Sequence, residues 1–210
     1  VGDLDDVSIE RIVALRPDLV LLSTSQRVGD RLAQLGIASF ALETDRYEDI
    51  ARTVTTIGRL LGVPERAAAL NARIDAEVRA VAAHARAARH GPAPKVYFEV
   101  DPGPYAAGPD SYIGGLLAKL GVRNIVSPGL GAFPLLNPEY VVRRNPDLII
   151  VSRTDAARLA DRPGWADIRA VREHRVCSFP SEVREMIMRP GPRVAEGLRA
   201  IAGCLDRVAP

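Results

Sequence analysis

Apolar positions along the chain fall into two recurring patterns, short continuous runs and stripes spaced three or four apart. The runs predict buried strands and the stripes predict helices that cover them. Ser8 to Leu15, SIERIVAL, reads as a short helix with Ser8 as N-cap, broken by Arg16-Pro17-Asp18. LVLLS (19–23) and IASFAL (37–42) read as strands, with a helix over 28–35 between them that Gly36 closes. Tyr47 to Leu61 is amphipathic, with Ile50, Val54, Ile57, Leu60 and Leu61 on one side. The longest element is PERAAALNARIDAEVRAVAAHARAAR, 64–89. Pro64 suits a first helical position, Glu65 and the closing arginines suit the helix dipole, and alanine fills nearly half of it. Leu70, Ile74, Val78 and Val81 make its stripe. Its 26 residues would span about 39 Å, as a surface helix or as a strut between two lobes.

After Gly91 the alternation restarts. KVYFEV (95–100), LIIVS (148–152) and VCSF (176–179) read as strands. Helices are expected over 112–120, after Asn137-Pro138, over 155–159, over 165–171 and over 192–208. Two Pro/Gly-rich stretches, DPGPYAAGPDS (101–111) and SPGLGAFPLL (127–136), read as loops. The pattern is that of α/β layers with parallel sheets.

An internal repeat sharpens this picture. SIERIVALRPDLVLLS (8–23) lies over NPEYVVRRNPDLIIVS (137–152), with six of sixteen positions identical. The unit is a capped helix, a turn and a buried strand, and each copy carries a glutamate at the second helical position, Glu10 or Glu139. The copies flank the long helix, so the expected organisation is a first lobe over 1–62, a linking helix over 63–91 and a second lobe over 92–210.

Composition narrows the function by exclusion. The chain has 210 residues and a net charge of +2, and its arginines are scattered, so no nucleic-acid surface is expected. No apolar run reaches the length of a membrane span. Cys177 and Cys204 lack metal-site spacing, and whether they pair is open. His84 and His90 stand six apart and His174 is alone, so no metal site is expected. The sequence has no GxSxG, no phosphate-binding GxxxxGK[ST] and no dinucleotide fingerprint.

Together these residues resemble the helical-linker class of periplasmic substrate-binding proteins, the receptors of ABC importers for cobalamin, haem and ferric siderophores. SIERIVALRPDLVL, the helix after LLGVPERA, YFEVDPGPYAAGPDSYIGGLLAKLGVRNI, LNPEYVVRRNPDLIIVS, PGWADIRAVREHRV and RPGPRVAEGLRAI carry the likeness, over nearly the whole chain. The strand-loop at 96–108 and the RPGPR start of the last helix are most similar to the cobalamin-binding branch. The resemblance implies an α/β fold of two lobes with parallel-type sheets joined by one long helix. Members of the class usually begin with further strands and a helix, so the N-terminal lobe is expected to be incomplete. It also implies a monomer, periplasmic or lipid-anchored, that binds without chemistry, holds no cofactor and docks on ABC permease subunits. An α/β enzyme acting on a tetrapyrrole-like substrate is the rival reading.

The site residues follow from the same likeness. Tyr105 and Phe133 match positions where aromatics contact cobalamin; the alternative is that each packs over its own lobe. Leu4 and Ser23 stand where cobalamin binders can carry tryptophans. Asp101, Glu182 and Met186 are candidate rim contacts, and Trp165 is expected in the core. Glu10 and Glu139 match glutamates that pair with arginines of the transporter, the alternative being simple capping.

Overall fold

The computed structural model describes residues 7–24, 28–101 and 103–208. The chain divides into two compact units, Val1–Thr44 and Asp45–Pro210.

In the first unit Ser8 Oγ accepts the Arg11 N–H at 3.3 Å and opens helix α1, Ile9–Leu15. Arg16 ends it in the left-handed region, φ 45°, and Pro17 bars any return to helix. Strand β1, Val20–Ser23, then pairs in parallel with β2, Ser39–Leu42, across helix α2, Gly29–Gln34. Ile12, Leu22 and Leu32 form the buried centre of this unit. A core of that size stabilises a fold only modestly.

The second unit opens with helix α3, Asp49–Leu60, and the long helix α4, Pro64–Ala87. Gly62 makes the turn between them at φ 68°. A Cβ at Gly58 would lie 2.3 Å from Ala67 Cβ, so the missing side chain is what lets the two helices close. Asn71 Nδ2 donates to Ala51 O and Thr55 Oγ1, both at 3.0 Å, and ties them further along. This packing groups α3 with the second unit, whereas the sequence pattern groups it with the first 62 residues. Along α4 the predicted stripe holds at Ile74 and Val78, which are buried, whereas Leu70 and Val81 are only partly buried and Ala67, Ala82 and Ala85 complete the inward face.

Strand β3, Lys95–Asp101, sits at the middle of the sheet. On one side it pairs in parallel with β6, Leu148–Val151, which pairs in turn with β7, Val176–Ser178. On the other side it meets two short strands. β5, Arg123–Asn124, runs parallel to its start, and β4, Tyr105–Ala106, runs antiparallel to its end. Alternate residues therefore enter two cores. Val96, Phe98, Leu148 and Ile150 face α4, α5 (Tyr112–Lys119) and α10 (Val194–Val208). Tyr97, Ile149 and Val151 face α6 (Pro138–Arg144) and the Trp165 region, and Trp165 is fully buried as expected. Cys177 of β7 is bonded to Cys204 of α10, with Cα atoms 6.3 Å apart, which closes the pairing left open by the sequence.

The stretch after β6 is more broken than its pattern suggests. Ser152 caps α7, Arg153–Ala156, and two 3-10 turns lead to α8, Arg169–Arg172. Helix α9, Ser181–Met188, has no counterpart in the sequence reading. Its eight residues bury only Ile187.

One charged residue lies inside the second core. Glu99 follows Tyr97 on the same face of β3 and is 3% exposed. Arg162 meets its carboxylate with both terminal nitrogens, at 2.6 and 2.8 Å. Tyr97 Oη donates to the same carboxylate at 2.8 Å. Burial first, and the Glu99 carboxylate second, push the Tyr97 phenol well above its ordinary range, so it stays a donor. The hydrogen bond to Glu99 raises the Arg162 guanidinium against an opposing effect of burial. The guanidinium also lies over Trp165, 4.6 Å from the ring centre, and Trp165 meets Tyr97 edge-on at 5.7 Å. Arg162→Ala should cost about 3–5 kcal/mol, because it strands a buried carboxylate. The Glu99→Gln, Arg162→Met pair should recover much of that loss in a urea titration. A single variant as stable as the parent would show that the pair bears no load.

Candidate functional site

The site is built at the C-terminal end of β3, where open α/β sheets place their ligands. Beyond Asp101 the chain turns through Gly103, at φ 117°, and returns as β4 with Tyr105 opposite Asp101. The second loop, 127–136, then lies against β4 as if it were another strand. Ala106 N–H donates to Pro134 O at 3.0 Å, Gly108 N–H to Ala132 O at 2.8 Å, and Leu136 N–H to Pro104 O at 3.2 Å. Tyr105 and Leu135 form an antiparallel bridge. The approach is so close that a Cβ at Gly108 would lie 2.2 Å from Gly131 O. Two stretches that read as loops are thus joined by main-chain hydrogen bonds.

Period two governs what this backbone displays. Ala106 and Leu136 point inward and are buried, while Tyr105, Phe133 and Leu135 are 42%, 48% and 58% exposed. Tyr105 and Leu135 are a cross-strand pair and Phe133 is two residues from Leu135, so all three share one face. Neither Tyr105 nor Phe133 belongs to the two buried cores of the second unit, and each keeps over two fifths of its surface exposed. Beneath this face, Glu99 pairs with Ala106 in the β3–β4 register and is held by Arg162.

The other candidates are spread out. Asp101 is exposed at the end of β3. Ser23 is half-buried at the end of β1 in the first unit, and Leu4 lies outside the described residues. Glu182 and Met186 are on α9, four residues apart and so on one helical face. Arg184 of the same helix donates to Val100 O at 2.6 Å, which fixes α9 beside β3. Met186 Sδ is taken by the Arg193 guanidinium. Sequence reasoning missed Glu99 and Arg162. A glutamate inside the apolar run KVYFEV was a signal for the first, but Arg162 lies 63 residues away with no local mark.

The repeat is borne out in backbone geometry. Glu10 is exposed at the second position of α1, with Ser8 Oγ 3.2 Å from its carboxylate. Glu139 is exposed at the second position of α6, its N–H held by Asn137 Oδ1 at 2.9 Å. Both helices end on a left-handed residue at φ 45°, Arg16 or Asn145, followed by proline and then a strand. Each unit therefore presents one carboxylate in the same local frame.

Among the described residues no three His, Cys, Asp or Glu side chains group as metal ligands, and no helix is long and apolar enough to cross a membrane. The periplasmic binding protein family matches residues 1–183. A relative from Bacillus subtilis, described as an uncharacterized ABC transporter substrate-binding lipoprotein, YvrC, is 27% identical over 96% of this chain and 66% of its own length. A cobalamin-binding protein of Halobacterium salinarum is 29% identical over 96% of this chain and 56% of its own. The chain thus spans between 56% and 66% of the length of these curated relatives. Among solved structures, the periplasmic haem-binding protein RhuT from Roseiflexus superposes with a TM-score of 0.83. It is 23% identical, with 98% of this chain and 81% of that one covered, and it supports the fold. On the extent of the family match, the chain belongs to the periplasmic binding proteins.

Proposed function

We propose that this chain is the substrate-binding part of an ABC importer and captures cobalamin or a related corrinoid. The observation that carries the reading is the exposed row of Tyr105, Phe133 and Leu135 on a backbone fixed by its own hydrogen bonds. A corrinoid is a broad, flat body with polar edges, and rigid aromatic faces grip such a body with little ordering cost. Exposed apolar groups gathered on one face mark a binding surface. Relatives described as cobalamin-binding favour the corrinoid. Haem is the second reading, favoured by the exposed Tyr105 phenol, a group that can ligate haem iron. In either case the protein performs no chemistry and acts in the periplasm or lipid-anchored at the cell surface.

Calorimetric titration should give one cyanocobalamin per chain, with hemin and a ferric siderophore run alongside. Tyr105→Ala and Phe133→Ala should each weaken binding about tenfold, as truncated aromatic anchors do. Preference for hemin would change the ligand and keep the receptor. Binding indifferent to both substitutions would refute the assignment of this face.

Glu10 and Glu139 are proposed as the transporter contacts, one from each unit. Each carboxylate stands on the first turn of a helix, where the dipole favours it, and each is exposed for pairing with a basic partner. The Glu10→Ala, Glu139→Ala double variant should bind ligand as the parent does and fail to support uptake in cells. Undiminished uptake would sink the docking role.

A further inference from the structure

At the opposite end of the sheet the second unit holds a cavity of about 380 Å³. It lies at the start of β3, and β3 has seven residues, so the strand rise sets it about 20 Å from Tyr105. Its apolar wall comes from Ala85 and Ala88 at the end of α4, Pro94, Leu148 and Leu205 of α10. Its volume is at the lower end of the range for small-molecule pockets, about 300–1,000 Å³.

The charges around it are one-sided. Lys95 is the first residue of β3 and Arg123 the first of β5, Arg175 precedes β7, and Arg89 and Arg169 complete the set. Two carboxylates, Asp147 and Asp206, share the lining with these five cations. Most of the cations have structural work. Arg89 donates to Gly121 O and Leu120 O, both at 2.7 Å, and so caps the end of α5. Lys95 Nζ donates to Arg144 O at 2.8 Å, at the end of α6. Arg169 pairs with Asp147 at 3.1 Å and with Glu173 at 3.4 Å, and Arg175 pairs with Glu173 at 3.0 Å. Burial opposes ionisation of Asp147, but the Lys95 N–H and the Arg169 guanidinium hold its carboxyl below the usual range.

Arg123 is different. Its Nε donates to Ala93 O at 2.9 Å, which orients the guanidinium. Arg123 is exposed, its two Nη groups meet no protein acceptor among the described residues, and a guanidinium offers a planar fork suited to a carboxylate or sulfonate. Counting Glu173 as well, the cations still outnumber the carboxylates. Asp206 in the same lining is likewise exposed and without an ion pair among the described residues. The site is therefore marked by its apolar wall, an oriented guanidinium and an excess of cations over carboxylates, which together describe a ligand with an apolar body and one anionic head.

We propose that this cavity is a second binding site, for a small amphiphilic monoanion held by Arg123 at its head and by Ala88 and Pro94 along its body, over a floor of Leu148 and Leu205. The site is independent of the corrinoid face and would serve a different ligand class.

The probe is 2-naphthoate, with neutral 2-naphthamide as its control, titrated into the intact chain at low ionic strength and followed by calorimetry and amide NMR. Naphthoate should bind at submillimolar Kd, with shifts centred on Lys95, Leu148 and Leu205. Naphthamide should bind at least about tenfold more weakly, since it lacks the charged head. Arg123→Ala should lose about tenfold in naphthoate affinity, with Arg123→Lys between it and the parent. Circular dichroism checks that both variants fold. No naphthoate binding, equal binding of the amide, an Arg123→Ala variant that binds as the parent, or shifts centred on 105–107 and 132–136 would each overturn the proposal.

Discussion

The constraint on which the second unit depends is that β3 is paired along both edges. A strand with neighbours on each side and helices on each face has no route to solvent for its middle residues. Alternate side chains must therefore satisfy two cores, and Val96, Phe98, Tyr97 and Glu99 have no third choice. For the apolar residues this costs nothing. For Glu99 it requires a cation, and Arg162 supplies one with matching geometry. The pair thereby fixes the 162–165 segment against the sheet beneath β4. The strand beneath the aromatic face cannot shift without breaking the two-point Arg162–Glu99 pair and leaving a buried charge unmatched.

The two copies of the repeat show how little sequence is needed to set an exposed carboxylate on a helix's first turn. A capping Ser8 or Asn137 sets where the helix begins, and so which residue stands on its first turn. A residue before proline avoids the right-handed helical region. Arg16 and Asn145 take the left-handed one, and the chain leaves the helix directly into a strand. Helix start, helix end and strand direction are all set within sixteen residues. Glu10 and Glu139 are equivalent because that local chemistry is equivalent, not because anything distant places them.

This separates what was legible in the sequence from what was not. The strands β1, β3, β6 and β7, the stripe of α4 and both caps are local patterns, and each is found within a residue or two of its expected bounds. Helix α9 escaped because only Ile187 among its residues is buried, which leaves no periodic stripe to read. Strand β4 escaped because it exists only through its neighbours, Glu99 and Asp101 on one side and the 132–136 segment on the other. The tight contact of Gly108 with Gly131 O, 23 residues along, has no signature beyond two glycines in Pro/Gly-rich stretches. The same holds for the placement of α3. Its amphipathic pattern says that it packs, but the Gly58–Ala67 contact decides on what. Long-range partner choice is the common missing term, for Arg162, for Cys177 with Cys204, and for β4.

The two ends of the sheet differ for a reason that precedes function. In an alternating α/β unit the helices run back against the strands, so their C-terminal ends gather where the strands begin. Those ends expose carbonyls and a partial negative charge. Arg89 on the end of α5 and Lys95 on the end of α6 answer that need. Part of the positive charge at the strand-start end is therefore accounted for by helix capping. At the other end, where β3 finishes, no such demand operates, and the exposed positions are free to be aromatic. A flat neutral body suits the second environment and an anion the first. At Arg123 only Nε is engaged, by Ala93 O, and the two Nη groups stay open to solvent or to an anion. An anion at this end would have to use such an open guanidinium, since the cations that cap α5 and α6 are already engaged.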